Sequence, residues 1–548
     1  MILREWEIWH TYSTYLDWPP LNLDAAAPAL VESGLAECVV LRDGKTYWRS
    51  DGGCRSGETT FELNEGKVGG TFSLTSDGKQ PNIDGFALEA WGQAANFRLH
   101  EVRFFGEESA LPPAYLRAFL GKCVFISEKK NYAVDCYPML KLHDSGVLIV
   151  AFRVIGPDRP VELQEFIAED VNLFQHEFDR VEVSPSLALL ATRAYYDYIK
   201  TDWRLLHRVY LSVLEWIHGR GVQERTRIDE VDHFPFKLSP LTQARDRAGK
   251  ETLSSLALTI FSTVGFVITR PHKGLRFIAS SQKPLIQLGD FWTGRPHVHL
   301  ARYDDQMETA PDNETRHRES FARIMMRACA REGERPASLP PNSRAFGDYG
   351  AYISSAITLW VWSARGLQDR ASWADPNRGH LIYANQATAE VLEYGYMLHR
   401  SLLEHATSIF APETVLELRR HLAILKVRMR EASYYGEIRD LLQRGWKEMG
   451  IEDLREAVSD SLSIRESETR LLESRITGRL GRALTILFGL IVVPSLAKDV
   501  IEPTWRMFGI WRPKDADAVQ LIAVAIALVL VLSALRTILK RTPRVGSR

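Results

Sequence analysis

Three groups of residues in this sequence have types and spacings that could do chemistry. His297 and His299 flank Val298. Residues two apart in a strand share a face, so the pair has ligand-like spacing for a metal, with Asp304, Asp305 and His317 downstream. Spacing fixes no third ligand, and isolated histidine pairs are usually structural. Near the C-terminus, Thr485, Gly489, Val492, Leu496 and Asp499 form one stripe at helical spacing, with Glu502 just beyond. Acidic groups such as Asp499 and Glu502 at the mouth of a path favour cations. The alternative is that Thr485 and Gly489 merely let two helices approach closely. Gly44-Lys45-Thr46 mimics the end of a phosphate loop, but Val39 stands where the leading glycine belongs, so a hairpin turn is the better reading. No Gly-x-Ser-x-Gly and no His-Glu-x-x-His occurs, so the residues give no catalytic constellation and no cofactor.

The elements that must position these groups fall into three styles along the chain. The first third alternates apolar and polar residues between turn signals such as Asp43-Gly44 and Asp77-Gly78, which predicts strands. The clearest hairpin runs from Asn131 to Ile155 around Asp144-Ser145-Gly146, with Pro138 suggesting an edge position or a bulge. After Pro185 the pattern turns helical, then mixed, with a Pro-rich break at RPASLPPNS. Two uncharged runs, Leu253 to Thr269 and Gly350 to Ala364, read as core helix or strand. From about Asn377 the chain reads as long helices: one over HLIYANQATAEVLEYGYMLHRSLLEHA, one from Pro412 to a stop at Gly450, and one from Ile451 onward.

The end of the chain carries the strongest pattern. Ala518 to Leu535 is uncharged and holds 11 Leu, Ile and Val residues. Its 18 residues would cover about 27 Å as a helix, close to a hydrocarbon core of about 30 Å. Ala483 to Ala497 is shorter and reads as the first leg of a transmembrane hairpin. Arginines precede the first leg and basic residues follow the second, which places both ends inside. The opening MILREWEIWHTYSTYLDWPP lacks a signal-peptide pattern, which fits a cytoplasmic bulk.

Bulk numbers set the remaining bounds. The chain has 548 residues, 25% charged and 45% hydrophobic, with 68 basic against 69 acidic residues. That is ordinary globular composition without the basic footprint that nucleic acid demands. Five cysteines, none at C-x-x-C spacing, fit a reducing compartment.

LTILFGLIVVP, from Leu484 to Pro494, together with a stalk helix, a short loop, a more apolar second span and a basic tail, resembles the CorA-type two-helix divalent-cation transporters. The Gly-Met-Asn that family carries after its first span is missing: Lys498 to Asp517 has no Asn, and Met507-Phe508-Gly509 stands instead. The resemblance implies a homo-oligomer, a pentamer, in the lipid bilayer of the cell (inner) membrane, with a divalent cation as transported or regulatory ion.

The expectation is therefore an α+β cytosolic region, β-rich at its N-terminal part and helical at its C-terminal part, with a long stalk helix and a C-terminal two-helix transmembrane hairpin. The expected parts are 1–180, β-rich; 181–376, mixed; 377–482, long helices and stalk; and 483–548, the hairpin with its basic tail. The functions that follow are a CorA-like cation channel or, alternatively, an anchored sensor or effector whose hairpin is only an anchor or a bilayer disrupter.

Overall fold

The computed structural model describes residues 1–16, 21–50, 53–63, 70–83, 85–106, 111–128, 131–201, 251–269, 295–329, 338–344, 346–371, 379–408, 419–420, 422–428, 436–508 and 516–541, with 210, 213, 216 and 217. The chain divides into two units, Met1–Val458 and Ser459–Arg548.

The first unit is an α+β fold built on a large mixed sheet. Its strands are β1 (Ile2–Tyr15), β2 (Cys38–Leu41), β3 (Lys45–Ser50), β4 (Gly53–Leu63), β5 (Gly70–Thr75), β6 (Tyr115–Phe119), β7 (Cys123–Ser127), β8 (Tyr132–His143) and β9 (Val147–Ile155). They continue with β10 (Val161–Glu162), β11 (Arg180–Glu182), β12 (Arg295–Tyr303), β13 (Tyr349–Ile353) and β14 (Thr358–Trp362). The main path runs β13-β14-β12-β1-β9-β8-β6-β2-β3-β4-β5. β12 and β14 are parallel, and the other described pairs are antiparallel.

Alternation along β1 sorts the sheet into two unlike faces, because successive side chains point to opposite sides. Ile8, Tyr12 and Leu16 join the large apolar core. That face is covered by α1 (Leu23–Glu32), α4 (Leu253–Thr269) and α5 (Ala310–Met326). The uncharged run Leu253–Thr269 is thus a core helix, and the second uncharged run supplies β13 and β14. α1 starts where the Asn22 side chain accepts the Ala25 N–H, as an N-cap should. The opposite face meets α2 (Gly85–Phe105) and α7 (Gly379–Ser408); between these and α5, in chain order, lies α6 (Ala364–Ala371), and α3 (Pro185–Thr201) precedes α4. Trp9, Phe97, Phe119, Met139 and Tyr383 form a smaller apolar cluster on this second face. α8 (Gly436–Glu448) packs on α7 through two glycines. A Cβ on Gly395 would lie 2.8 Å from the Trp446 ring, and one on Gly445 2.5 Å from Leu392. Side chains at either position would push the helices apart.

Pro138 lies at a bulge-type irregularity rather than an edge: between the Phe119–Met139 and Cys123–Cys136 pairs, residues 120–122 stand opposite only 137 and 138. Its carbonyl accepts from the Leu120 N–H, so its missing N–H points to the same side. On that side β8 pairs with β7 through residues 132–136 and with β6 through residues 139–143, and Pro138 sits where the neighbour changes. The sequence reading also misses α2, whose buried face carries Arg98, His100 and Glu101 and so breaks the expected apolar stripe.

The second unit begins inside α9 (Ile451–Leu496) and continues through a π-turn at Ala497–Ile501, α10 (Glu502–Phe508) and α11 (Ala516–Arg541). The transmembrane hairpin expected from the sequence is corrected: among the described residues, no helix is long and apolar enough to cross a membrane. α9 opens with charged turns, and the π-turn that follows it carries Lys498 and Asp499. The multi-pass inner-membrane placement and the transmembrane ion path fall with the hairpin.

The turn Asp144-Ser145-Gly146 joins β8 to β9, with Gly146 at φ 90° and a Cβ there 2.6 Å from the Leu16 carbonyl. Gly146→Ala is expected to lose about 2 kcal/mol or more in urea unfolding. Gly92→Ala, in α2 with open space around it, should gain up to about 1 kcal/mol. Equal effects at the two sites would contradict the turn geometry.

Candidate functional site: a buried ionic layer

The second face of the sheet carries a row of basic side chains that a sequence pattern does not announce. Register places Arg117 of β6 opposite Lys141 of β8, and Tyr115 opposite His143. Further along, Arg295, His297 and His299 alternate on β12, opposite Thr11, Trp9 and Glu7 of β1. Arg117, Lys141, Arg295, His297 and His299 are all buried.

Two helices deliver the matching carboxylates. α2 brings Glu101, and α7 brings Glu390 and Glu393, all at 0% exposure. On α7, Gln386, Glu390 and Glu393 lie at i, i+4 and i+7, one stripe of the helix. Arg117 donates to Glu390 Oε2 at 2.6 Å and to Glu101 Oε1 at 3.1 Å. Lys141 Nζ donates to the same two carboxylates at 2.9 and 3.0 Å. The Tyr115 hydroxyl donates to Glu101 Oε2. Two cations and two carboxylates thus close a neutral square, with Arg117 lying 4.0 Å over the Phe97 ring. About 4.5 Å along α7 from Glu390, Arg295 donates to Glu393 Oε1 at 2.5 Å.

Electrostatics follow from burial and pairing. Burial by itself would raise the Glu390 carboxyl, but Arg117 and Lys141 outweigh it and hold it at about 2. Glu101 and Glu393 are lowered in the same way, against burial, by Lys141 and Arg117 and by Arg295 respectively. His299 has no carboxylate to offset burial, and its ring falls to about 3, helped by His297. The layer is therefore built from permanent charges, with His299 neutral among them.

The sequence-derived candidates sit as follows. His297 and His299 do share one face of β12, facing α7. His297 Nδ1 is 2.6 Å from Thr358 Oγ1 and its Nε2 3.5 Å from Glu393. His299 stacks on Trp360. Asp304 pairs with Arg4, Asp305 with Arg316, and the His317 ring meets the Asp305 carbonyl, so none of the three joins the pair. Among the described residues no group of three or more His, Cys, Asp or Glu could hold a metal ion. Gly44 forms the β2–β3 turn, and Lys45 reaches Asp24 and Asp43 rather than a phosphate cradle. Thr485 and Gly489 lie in α9, with their side chains outside the described ones; Asp499 is exposed in the π-turn and Glu502 half-buried at the start of α10.

Glu390 of α7 and the cations Arg117 and Lys141 of β6 and β8 escape a sequence reading because Glu390 lies 273 and 249 residues from these two partners. The signal that could have found them is the polar stripe Gln386, Glu390, Glu393 on a helix otherwise rich in Ala, Leu and Tyr. Comparison of the chain with protein-family models, with curated proteins and with solved structures finds no match. The CorA-type likeness therefore rests on the residues quoted for it.

Glu390→Gln leaves Arg117 and Lys141 short of one negative charge in a dry layer, and should cost about 3 kcal/mol or more in urea unfolding at pH 7. Retention of full stability would show that the square is not closed as described. The pH dependence has a definite sign. The Glu390 contribution is complete above the ordinary carboxylate value of 4.5 and is lost as pH falls toward 2. Below 6.5 the unfolded chain protonates His299 while the folded chain does not until about 3, so stability also falls with pH across that window. His299→Gln should flatten the pH 6.5 to 3 slope of unfolding free energy by up to about 1.4 kcal/mol per pH unit.

Proposed function

We propose that the chain is a self-assembling sensor or effector. Met1–Val458 is its receiving body, and Ser459–Arg548 its assembly module, which binds further copies of itself. The observation that carries this reading is the outer surface of the second unit. Val493 and Ala497 pack against Ala523 and Ala527, which staples the two legs together. This packing leaves large apolar side chains outside. Leu484, Phe488 and Ile491 are exposed on α9, and Leu521, Val524 and Leu528 on α11, with Leu521 at 73%. Their spacings are 4 and 3 on α9, and 3 and 4 on α11, the alternation that seats side chains of one helix between those of another. Val492, Val529, Leu530 and Leu532 widen the band. A band of this kind marks an interaction surface.

A second copy is the occupant that fits the pattern, because it offers the same two stripes in return and a closed ring of copies covers all of them. The boundary between the units falls within α9.

Sedimentation velocity of the full chain is the test. The expected result is a discrete oligomer that the double change Phe488→Asp and Leu521→Asp converts to monomer, with the far-ultraviolet spectrum of the body retained. A monomeric wild-type chain defeats the reading, as does a chain that stays monomeric and instead floats with phosphatidylcholine–phosphatidylglycerol vesicles.

A further inference from the structure

Two of the five cysteines face each other across a ladder. Cys123 of β7 is the register partner of Cys136 on β8. Both side chains belong to the large apolar core, so they point to the same side of the sheet, and both are at 0% exposure. Both are free thiols. Directly opposed residues of an antiparallel pair have Cα atoms about 4.5 or 5.5 Å apart, inside the roughly 4.4 to 6.8 Å that a disulfide spans. Their Cβ atoms stand about 4.5 to 5.5 Å apart, against about 3.5 to 4.5 Å in a disulfide. Closure therefore asks for a strand shift of up to about 1 Å, and a bond made under that tension is readily reduced again. The other three cysteines face no cysteine. Cys38 stands opposite Trp48 and Cys54 opposite Arg49, on strands separated by β3, and Cys329 Sγ donates to the Gln164 carbonyl.

The strands that hold the pair are a short appendage to the sheet. β11, β7 and residues 132–136 of β8 form a three-stranded ribbon off the main path. Three register pairs tie β11 to β7, and β8 meets β9 only from Tyr137 onward. Cys123 and Cys136 sit at the end of this ribbon, beside the irregularity where residues 120–122 stand opposite 137 and 138. Short ladders interrupted by a bulge open locally at less cost than the whole fold. While the ladder is closed the thiols are held protonated and inert. Burial pushes Cys123 up to about 12, and burial together with Cys123 and Asp135 pushes Cys136 well above the ordinary thiol range. Opening of the ribbon lifts the burial and admits a small oxidant.

We propose that Cys123 and Cys136 are a reversible redox pair, closed to a disulfide by a peroxide when the ribbon opens and reopened by a thiol such as glutathione. The Cys123 thiolate attacks one oxygen of hydrogen peroxide: an S–O bond forms, the O–O bond breaks, and hydroxide leaves and takes up a proton to become water. The Cys136 sulfur, losing its proton, then attacks Cys123 Sγ: the S–S bond forms, the S–O bond breaks, and a second water leaves. Two electrons pass from the sulfurs to the peroxide. In the reverse direction two glutathione thiols return two electrons and leave as glutathione disulfide. The bond closes a loop over residues 124–135 and pins β7, and through it β11, to β8. This site is independent of the self-assembly reading, because both cysteines lie within the first unit and the assembly band within the second.

The test treats the native full chain with hydrogen peroxide, blocks the remaining thiols with N-ethylmaleimide in denaturant, and maps its peptides without reduction. The expected result is a peptide linking Cys123 to Cys136 that disappears after incubation with glutathione. Amide hydrogen exchange in β7 and β11 should slow about tenfold in the oxidised chain and recover on reduction. Cys136→Ser should abolish the linked peptide and the slowed exchange together. If that variant fails to fold, the map of the unsubstituted chain decides, since it needs no substitution. Cys123 and Cys136 still open to alkylation after the half-buried Cys54 and Cys329 have been oxidised would overturn the proposal. Linkage of either residue to another cysteine, or a Cys123–Cys136 link that forms only in urea, would overturn it as well.

Discussion

The first unit depends on one constraint: a helix that carries carboxylates must lie on a sheet that carries their counter-charges. Glu101, Glu390, Arg117 and Lys141 are each at 1% exposure or less. Removing any one leaves an uncompensated charge in a dry layer, whereas the complete set is nearly neutral in cost. The square therefore acts less as a source of net stability than as a register pin. α7 and α2 can occupy the sheet in the one arrangement that brings three helical acids over three strand cations. An apolar interface would have tolerated slippage by a turn.

The two faces of the sheet divide the work that folding requires. The face under α1, α4 and α5 is mainly apolar and supplies the burial that drives collapse. The face under α2 and α7 adds the polar specification, with Trp9, Phe97 and Tyr383 sealing the charges from water. The Arg153 fork on Glu7, at 2.8 and 2.9 Å, guards the edge of this seal. Reciprocal glycines at Gly395 and Gly445 then let α8 close over α7 from outside. Position along the strands decides chemical character: lone arginines at Arg117 and Arg295 occur where the alternation points them at α7.

The second unit follows a different logic. Small alanines allow close internal packing, and the bulky aliphatic side chains stay outside. Its physical character is set by what its surface lacks, which is polar cover for Leu521, Val529 and Phe488. An arrangement of that kind is completed by association, while the first unit is completed internally.

Much of the local structure was legible in the residues. The hairpin around Asp144-Ser145-Gly146, the core helix at Leu253–Thr269, the turn at Gly44 and the start of a long helix at Ile451 all follow from patterns within some twenty residues, because hydrophobic period and turn chemistry are local. The transmembrane hairpin did not survive, since a count of apolar residues does not establish a helix able to span a bilayer. The sequence by itself determined many of the strands, helices and turns, and the two uncharged runs Ala483–Ala497 and Ala518–Leu535. Only the tertiary structure decided that Arg117, Lys141 and Arg295 meet Glu101, Glu390 and Glu393. The reason is that charge pairing is a relation between partners. These partners stand from 16 to 273 residues apart, and nothing local to either records the other.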